Sequence, residues 1–269
     1  PAPAPRPGEA WLSVLDVGQG LAVLVRTAGR ALLYDAGPAY GTQSDSGERI
    51  VVPLLQAAGI QRLDALVLSH EDSDHTGGAV SVMENLETDL LLSSLPPDHA
   101  APAFAGYAQR CARGLHWNWD GVQFALLHPA ADDYGAVHRN NDLSCVLRVT
   151  AGGHATLLTA DIERAAEAAL LEREAGRLRA EVLLVPHHGS RSSSDVSFIA
   201  AVAPRWAVVA AGYRNRFGHP SAQVVERYAA AGAALLRTDL DGAVDIRMDA
   251  SGVRVEAERS RRARYWRGI

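Results

Sequence analysis

The chain has 269 residues, of which 48% are hydrophobic and 21% are charged, a composition typical of a globular protein rather than a disordered or fibrous one. Its net charge of -5 excludes a generally basic surface that would attract polyanions without a dedicated site. No apolar run reaches the roughly 18 to 20 residues that a membrane-spanning helix needs, and no signal peptide is evident.

The two ends of the chain differ in composition from its middle. The opening PAPAPRPGEA is typical of a stiff, extended linker, so residues 1–10 are predicted to precede the folded part. Residues 258–269 form an arginine-rich tail, which is either a solvated end or an arm that contacts phosphates or a membrane surface. One folded domain is predicted between them, over residues 11–257.

Hydrophobic periodicity predicts alternating strands and helices in the first half of the chain. Strands are predicted over WLSVLDV, LAVLVRT, ALLYDAG, LDALVLS and DLLLSS. The run LDALVLS is continuously apolar, which is typical of a strand buried on both faces. Helices are predicted over GERIVVPLLQAAG, GGAVSVMENLE and AFAGYAQRCARG.

The second half begins with strands and continues with helices and strands in alternation. The runs LHWNWDG and VQFALLHP are typical of a hairpin, and LSCVLRVT and HATLLTAD are strand-like runs joined by AGG. Helices are predicted over IERAAEAALLEREAG, SDVSFIAAVAP and SAQVVERYAAAG, and strands over AEVLLVP, RWAVVAAG, AALLRT, GAVDIRM and GVRVEAE. This order predicts an α/β fold with mixed sheets.

The two cysteines, Cys111 and Cys145, do not have the spacing of a metal site. Two buried free thiols are the expectation, and a single disulfide is the alternative.

Four potential metal ligands occur within six residues, directly after the predicted strand LDALVLS: His70, Asp72, Asp74 and His75. Ligands bind beyond the carboxyl ends of strands in α/β sheets, and a tight loop can direct alternate residues into one cavity. His70 with Asp72 could hold one ion, and Asp74 with His75 a second ion beside it. The alternative is an acidic surface turn that caps a helix, with Asp74 or Thr76 as the N-cap.

Further potential ligands follow other predicted strands. Asp161 ends LLTAD, His187 and His188 end VLLVPHH, and His219 lies in NRFGHP. Each has a structural alternative: an N-cap for Asp161, a buried hydrogen-bonded imidazole for His187 and a turn residue for His219. Taken together, imidazoles and carboxylates at several strand ends predict a metal centre at one edge of the sheets.

The motifs DVGQG, YDAG, SHEDSDHTGG, LLTADIE and VPHHGS occur in the order found in metallo-β-lactamase-fold hydrolases. The later segments NNDLSCVLRV, GYRNRFGHP and LLRTDLDGAV more specifically resemble the carboxy-terminal domain of the ComEC family of DNA-uptake channels, so that the resemblance covers residues 10–248. It implies a four-layer αββα sandwich with two mixed β-sheets and a dinuclear metal site at its upper edge. It also implies that the natural protein carries this domain on a channel in the cytoplasmic membrane, on its extracytoplasmic face.

The resemblance also implies roles for individual residues. The first ion would be bound by His70 and Asp72, the second by Asp74, His75 and His187, and Asp161 would bridge both. Asp35 in YDAG would brace the loop from behind. The sequence leaves open whether His188 binds the ion instead of His187.

Two departures from the superfamily pattern affect the first ion. Asp72 stands where a histidine is usual, and the histidine that normally precedes the strand LSCVLRVT is missing. Its nearest counterpart is Asn140, with His138 close by. Since both changes favour oxygen ligands, Mn²⁺ or Mg²⁺ becomes as plausible as Zn²⁺. The hypothesis is that the first ion binds fully only when a substrate phosphate supplies an oxygen.

The resemblance implies a metal-dependent nuclease that acts on single-stranded DNA through its backbone, without sequence specificity, and that is monomeric as an isolated domain. In this hypothesis Asp74 is catalytic and a proton reaches the leaving oxygen from His219, His188 or His138. The backbone would be held by polar side chains near the ions, namely Ser190, Arg191, Ser192, Asn140 and Asn141. The alternatives are a hydrolase of small phosphodiesters or lactones on the same fold, or a module without activity that gates the channel or docks partners.

Overall fold

The computed structural model describes residues 3–136 and 139–261. His138 and the tail from residue 262 onward, both singled out in the sequence, lie outside the described residues. Within the described part, every helix is too short or too polar to cross a lipid bilayer.

The described residues form seventeen strands and nine α-helices. The strands are β1 (Ala10–Val14), β2 (Val23–Arg26), β3 (Ala31–Tyr34), β4 (Ala39–Gly41), β5 (Ser44–Asp45), β6 (Arg62–Leu68), β7 (Glu87–Ser93), β8 (Tyr107–Arg110), β9 (His116–Trp119), β10 (Val122–His128), β11 (Val146–Ala151), β12 (His154–Leu158), β13 (Val182–Leu184), β14 (Trp206–Val209), β15 (Ala234–Arg237), β16 (Val244–Asp249) and β17 (Gly252–Ala257). The helices are α1 (Val52–Ala57), α2 (Ser73–Thr76), α3 (Ala79–Asn85), α4 (Asp133–Ala136), α5 (Arg164–Glu174), α6 (Val196–Val202), α7 (Ala222–Ala230), α8 (Thr238–Asp241) and α9 (Glu258–Arg261).

The strands form two large mixed sheets and one small hairpin. The first sheet has the order β17-β16-β1-β2-β3-β6-β7-β8, and the second has the order β15-β14-β13-β12-β11-β10-β9. Strands β3, β6, β7 and β8 are parallel to one another, as are β12 to β15, whereas the remaining neighbours in both large sheets are antiparallel. The predicted mixed sheets are confirmed.

Three apolar cores hold the layers together. Between the sheets, Val25 and Tyr34 of the first pack with Phe124 and Leu147 of the second. Outside the first sheet lie α1 and α3, and outside the second lie α5, α6 and α7. The helices bury their apolar faces because each strand presents side chains to both sides of its sheet. The predicted four-layer αββα sandwich is therefore confirmed.

The predicted helix over AFAGYAQRCARG is wrong. A short 3-10 turn at Ala101–Phe104 is followed by strand β8, which pairs in parallel with β7 at the edge of the first sheet. All four residues of β8 are exposed, so the segment has no buried face whose period could mark it as a strand.

The expectation of two free thiols is also wrong, because Cys111 and Cys145 form a disulfide with a Cα–Cα distance of 5.9 Å. Cys111 follows β8 in the first sheet and Cys145 precedes β11 in the second, so the bond joins the two sheets. The amide of Cys145 donates to the carbonyl oxygen of Ser69 (3.1 Å), and its own carbonyl accepts from the Tyr34 hydroxyl (2.6 Å). The disulfide therefore lies directly behind the loop that carries His70.

Loss of this disulfide should destabilise the fold strongly. The cysteines are 34 residues apart, and a bond that closes a loop of this length restricts the unfolded chain by about 4 kcal/mol. We expect the double variant Cys111→Ser/Cys145→Ser to lose a free energy of unfolding of this size, measured by urea titration. A reductant should shift the wild-type midpoint and leave that of the double variant unchanged, and equal midpoints for both proteins would contradict the expectation.

Candidate metal centre

Asp35 organises the loop after β6 from below. Its two fully buried carboxylate oxygens accept hydrogen bonds from the amide of Ser69, the hydroxyl of Ser69 and Nδ1 of His75, each at 2.7 Å. These bonds fix both the start of the loop and the orientation of the His75 ring. The structure thus places Asp35 where the sequence predicted a bracing carboxylate.

Glycines allow the same loop to pack closely against its neighbours. A Cβ atom at Gly20, in the DVGQG motif, would overlap the carbonyl oxygen of Asp74, to which the amide of Leu21 donates at 3.0 Å. A Cβ atom at Gly77 would overlap the backbone of Ala39. The motifs DVGQG and SHEDSDHTGG therefore require glycine at these two positions, because the backbone of a neighbouring segment lies too close for a Cβ atom.

The tautomers of the two central histidines follow from their hydrogen bonds. Nδ1 of His75 donates to Asp35, and Nδ1 of the buried His188 donates to the carbonyl oxygen of Ala210 at 2.8 Å. In a neutral imidazole a proton on Nδ1 leaves a lone pair on Nε2. The Nε2 atoms of both rings therefore face the centre as acceptors.

Carboxylates also face this centre. Nε2 of His75 lies 3.1 Å from Asp161 Oδ1 and 3.3 Å from Nε2 of His188, which in turn lies 3.3 Å from Asp74 Oδ2 and 3.5 Å from Asp161 Oδ2. Acceptors at such distances repel one another unless a proton or a cation lies between them. Tetrahedral ligands about 2.0 to 2.1 Å from Zn²⁺ are about 3.3 Å apart, so the four side chains fit a divalent cation.

The electrostatics of these groups lead to the same requirement. Burial lowers the pKa of His75 and His188, but the nearby carboxylates together outweigh it, Asp161 and Asp35 for His75 and Asp161 and Asp74 for His188. Both pKa values therefore lie above the ordinary value, and that of His75 lies well above it. Burial raises the pKa of Asp161, yet His188 and His75 hold it well below its usual range. Positive charge is needed here, and protons supply it when no cation does.

This requirement predicts a pH-dependent response to metal. Because folding raises the pKa of His75 and His188, the stability they contribute is fully present below about pH 6.5 and is lost as the pH rises through the folded pKa values. We expect the metal-free protein to lose stability as the pH rises above about 6.5, and added Mn²⁺ or Zn²⁺ to raise the melting temperature more at about pH 8.5 than at about pH 6.5. Thermal unfolding with chelator and with metal measures this difference, and equal shifts at both pH values would contradict the assignment.

A second group of ligands adjoins the first. His70, His75 and Asp161 are all buried and place ligand atoms within 4.8 Å of one another. Within the part of the chain that the structure describes, neither His70 Nε2 nor Asp161 Oδ1 has a hydrogen-bond partner, although both atoms are buried. Asp72 Oδ2 lies 3.5 Å from His70 Nε2, on a side chain that is 47% exposed. This group corresponds to the site predicted for the first ion, with His70 and Asp72. Because it has fewer fixed ligands and a more exposed carboxylate, it is expected to bind that ion more weakly than the other site binds its ion.

Asn140 is close to this second group. Its Nδ2 donates to Asp72 Oδ1 at 2.8 Å, across 68 residues of sequence. The structure therefore brings Asn140, the nearest counterpart of the missing histidine in the sequence, beside Asp72. Asn141 has its Nδ2 3.5 Å from His187 Nε2.

The geometry favours His188 over His187 as the remaining ligand of the second ion. His187 Nε2 lies 3.6 Å from Asp161 Oδ2, but its Nδ1 faces Glu163 Oε1 at 3.3 Å and the Ser192 hydroxyl at 3.3 Å, and its side chain is 21% exposed. Both histidines have positive φ values, 50° and 53°. Such strained backbone is typical of functional sites, and it also occurs at Asp35 and at Ala160, next to Asp161.

His219 lies over the centre without joining it. Its ring is 6.4 Å from that of His188 and 5.8 Å from that of His187. Burial, followed by the charges of His188 and His187, lowers the pKa of His219 to about 4. At neutral pH this imidazole is therefore uncharged, and it offers a leaving group an N–H hydrogen bond rather than an imidazolium proton.

The serine-rich loop after His188 is ordered. The Ser190 and Ser192 hydroxyls are 3.0 Å apart, and Arg191 is exposed. The N-cap of α6 is Asp195 rather than Ser194, and the Asp195 side chain accepts from the amide of Ser197 at 2.9 Å. The hydroxyl of Ser194 instead meets that of Tyr228 at 3.1 Å.

Sequence reasoning missed three polar residues that support the centre. Ser69 places its hydroxyl 3.0 Å from His70 Nδ1, Ser144 places its hydroxyl 3.4 Å from the same atom, and Glu163 contacts His187. Ser69 and Glu163 adjoin predicted ligands in sequence, which is the signal that could have identified them. Ser144 has no such signal.

Comparison with known proteins agrees with this geometry. A family model described as the metallo-beta-lactamase superfamily matches residues 15–213. The chain is 42% identical to competence protein ComA of Neisseria gonorrhoeae, over 96% of the chain and 35% of that protein. It is 32% identical to recombination protein 2 of Haemophilus influenzae, over 93% of the chain and 30% of that protein. The predicted resemblance to competence proteins is confirmed, and the chain spans about a third of the length of these relatives.

Solved structures share the fold at low sequence identity. The metallo hydrolase Igni18 of Ignicoccus hospitalis superposes with a TM-score of 0.53 and 17% identity, over 87% of this chain and 98% of that one. The metallo-beta-lactamase fold protein YhfI of Bacillus subtilis gives a TM-score of 0.52 and 12% identity, over 85% of this chain and 96% of that one. These likenesses concern the fold alone.

Proposed function

The chain belongs to the metallo-beta-lactamase superfamily, and from that premise we propose that it is a metal-dependent nuclease that hydrolyses phosphodiester bonds of DNA during DNA uptake. The observation that carries the proposal is the convergence of two imidazole lone pairs and two carboxylates in a buried centre. Such a centre has no evident structural purpose, since removing its positive charge leaves four acceptors facing one another. DNA is proposed as the substrate because the chain is similar to a competence protein and to a recombination protein.

The residues can be given roles in hydrolysis. Asp74, His75, His188 and Asp161 would hold one divalent cation, and His70 and Asp72 would hold a second, with Asp161 shared by both. When bound, a pair of Mn²⁺ or Zn²⁺ ions, or Mg²⁺, supplies Lewis acidity that lowers the pKa of a water molecule and neutralises charge on the phosphate. The second oxygen of Asp74 can orient the attacking water, and His219 can donate a hydrogen bond to the leaving 3′ oxygen.

Polar side chains around the centre suit a nucleic-acid backbone. Ser190, Ser192 and the exposed Arg191 lie on the loop that follows His188, while Asn140 contacts Asp72 and Asn141 contacts His187. Contacts of this kind hold phosphates and carry no base information. We therefore propose cleavage of single-stranded DNA without sequence specificity.

The disulfide supports a location outside the cytoplasm. Disulfides form and persist in oxidising compartments and are rare in the bacterial cytosol. Since Cys111 and Cys145 are bonded behind the metal loop, we propose that the domain lies on the extracytoplasmic face of the cytoplasmic membrane. There it would be attached to the channel portion of the same polypeptide, and as an isolated domain it would be monomeric.

The proposal is tested by digestion of end-labelled single-stranded and double-stranded DNA with increasing Mn²⁺, Zn²⁺ or Mg²⁺. Bis-nitrophenyl phosphate and a lactone serve as competing substrates. We expect metal-dependent cleavage of single-stranded DNA at a higher kcat/KM than that of either small substrate. Preferential turnover of a small substrate would identify another hydrolase of this fold, and no turnover of any substrate would favour a docking or gating module.

A further inference from the structure

Two aromatic rings are exposed on the loop between β14 and α7, residues 210–221. Tyr213 is 68% exposed and Phe217 is 53% exposed. Large aromatic side chains are normally buried to a greater extent, and their exposure on an ordered loop marks a surface that binds something.

Hydrogen bonds of Asn215 and Gly212 hold the backbone of this loop in place. Asn215 donates through Nδ2 to the carbonyl oxygens of Gly212 (3.0 Å) and His219 (2.6 Å), and its Oδ1 accepts from the amide of His219 (3.0 Å). The amide of Gly212 donates to Gln19 Oε1 at 3.2 Å, and a Cβ atom at Gly212 would overlap the backbone of Gln19. Ordering the loop therefore costs little when a ligand arrives, and the rings are available as a preformed surface.

A series of rings connects this surface with the candidate metal centre. The ring of Phe217 stacks on that of His219 with centroids 5.6 Å apart and an interplanar angle of 23°. His219 in turn stacks on His188, with centroids 6.4 Å apart and an angle of 21°. A flat group that lies against Phe217 is thus placed beside the centre where a phosphodiester would be cleaved.

Positive charge accompanies each ring. The guanidinium of Arg214 lies 5.3 Å from the ring centroid of Tyr213, and that of Arg216 lies 4.8 Å from the ring centroid of Phe217. Both arginines are exposed. Aromatic rings that alternate with cationic side chains match the alternation of bases and phosphates along a single strand, whereas the bases of a duplex are covered by their neighbours.

We propose that Tyr213 and Phe217 are a base-stacking subsite for single-stranded nucleic acid, with Arg214 and Arg216 binding the adjoining phosphates. This inference rests on the proposed nuclease function and adds to it a preference for unpaired bases of any identity. Because every base has a π-face, stacking tolerates all four bases.

The test compares two oligonucleotides that differ only in their bases. A fluorescein-labelled oligo-dT strand of twelve nucleotides and an abasic strand of the same length are titrated with protein in EDTA at low salt, and binding is followed by fluorescence anisotropy. We expect Tyr213→Ala and Phe217→Ala each to weaken binding of oligo-dT by about 10-fold, the effect typical of one lost stacking contact, and to change binding of the abasic strand by less than about 2-fold. Phe217→Trp should retain binding, and Phe217→Leu should not.

The control variant is Tyr107→Ala, which removes another exposed ring (63% exposed) at the start of β8. It should leave binding of both strands unchanged. Equal losses on the two strands, no loss from either variant, or no saturable binding of oligo-dT by the wild-type chain would each overturn the inference. Failure of the nuclease proposal is separate, since it would appear as an absence of metal-dependent cleavage of both strands by the wild-type protein.

Discussion

Replacement of Asp161 by asparagine should reduce DNA cleavage by about 1,000-fold, equivalent to roughly 4 kcal/mol of lost transition-state stabilisation. Asp161 is 3% exposed, and its two oxygens face both groups of candidate ligands. Oδ1 is near His75 Nε2 and Oδ2 is near His188 Nε2. Asparagine has nearly the same shape but lacks the charge that would neutralise two cations, so the loss should come from the chemistry rather than from packing.

Glu87→Gln is the matched control for Asp161→Asn. Glu87 is exposed at the start of β7. In the register of the sheet it lies opposite Arg62, at the beginning of the parallel neighbour β6. It is six residues, or about 20 Å of extended chain, from the end of β7 at Ser93. The control should retain wild-type cleavage in the same assay with end-labelled DNA. Cleavage by Asp161→Asn within a few-fold of the wild type would show that the reaction does not depend on this carboxylate.

Substitution of His188 should weaken metal binding strongly, whereas substitution of His187 should change it little. We expect His188→Gln to raise the Kd for the tighter cation by at least about 100-fold, since the loss of an outer partner alone costs 10- to 100-fold. We expect His187→Gln to change that Kd by less than about 3-fold, because Nδ1 of His187 faces Glu163 and Ser192 rather than the centre. Competition against a chelating dye measures both constants.

Each of the two variants serves as the control for the other, since both positions have positive φ values and both changes remove one imidazole. Melting temperatures recorded in chelator show whether either variant is misfolded. If His187→Gln lost the cation and His188→Gln retained it, the ligand assignment would be reversed. Reduced cleavage by His187→Gln with normal metal binding would instead agree with a role at the edge of the substrate cleft.

The parts of the centre that the sequence predicts are those that follow from local order. His70, Asp72, Asp74 and His75 follow one buried strand, and the glycines beside them are required by close backbone packing. Asp161 follows β12, which pairs in parallel with β13, so its arrival at the same edge as His187 and His188 follows from the α/β pattern. For these residues, the periodicity of the strands is sufficient.

Other features depend on the backbone path between distant segments. Residue types alone do not indicate whether His187 or His188 turns toward the centre, since two adjacent histidines follow the same strand. The contact of Asn140 with Asp72 and the disulfide join segments 68 and 34 residues apart, and neither contact has a local pattern. Strand β8 was mistaken for a helix because an edge strand without a buried face lacks the alternation that identifies strands.

The central claim is that the four facing acceptors enclose a divalent cation, and anomalous diffraction from crystals soaked in Mn²⁺ tests it most directly. The account predicts a strong anomalous peak within bonding distance of His75 Nε2, His188 Nε2, Asp74 and Asp161, with a weaker peak beside His70 and Asp72. Crystals in which Mn²⁺ binds elsewhere, or which show no anomalous peak at this centre at saturating metal, would contradict it.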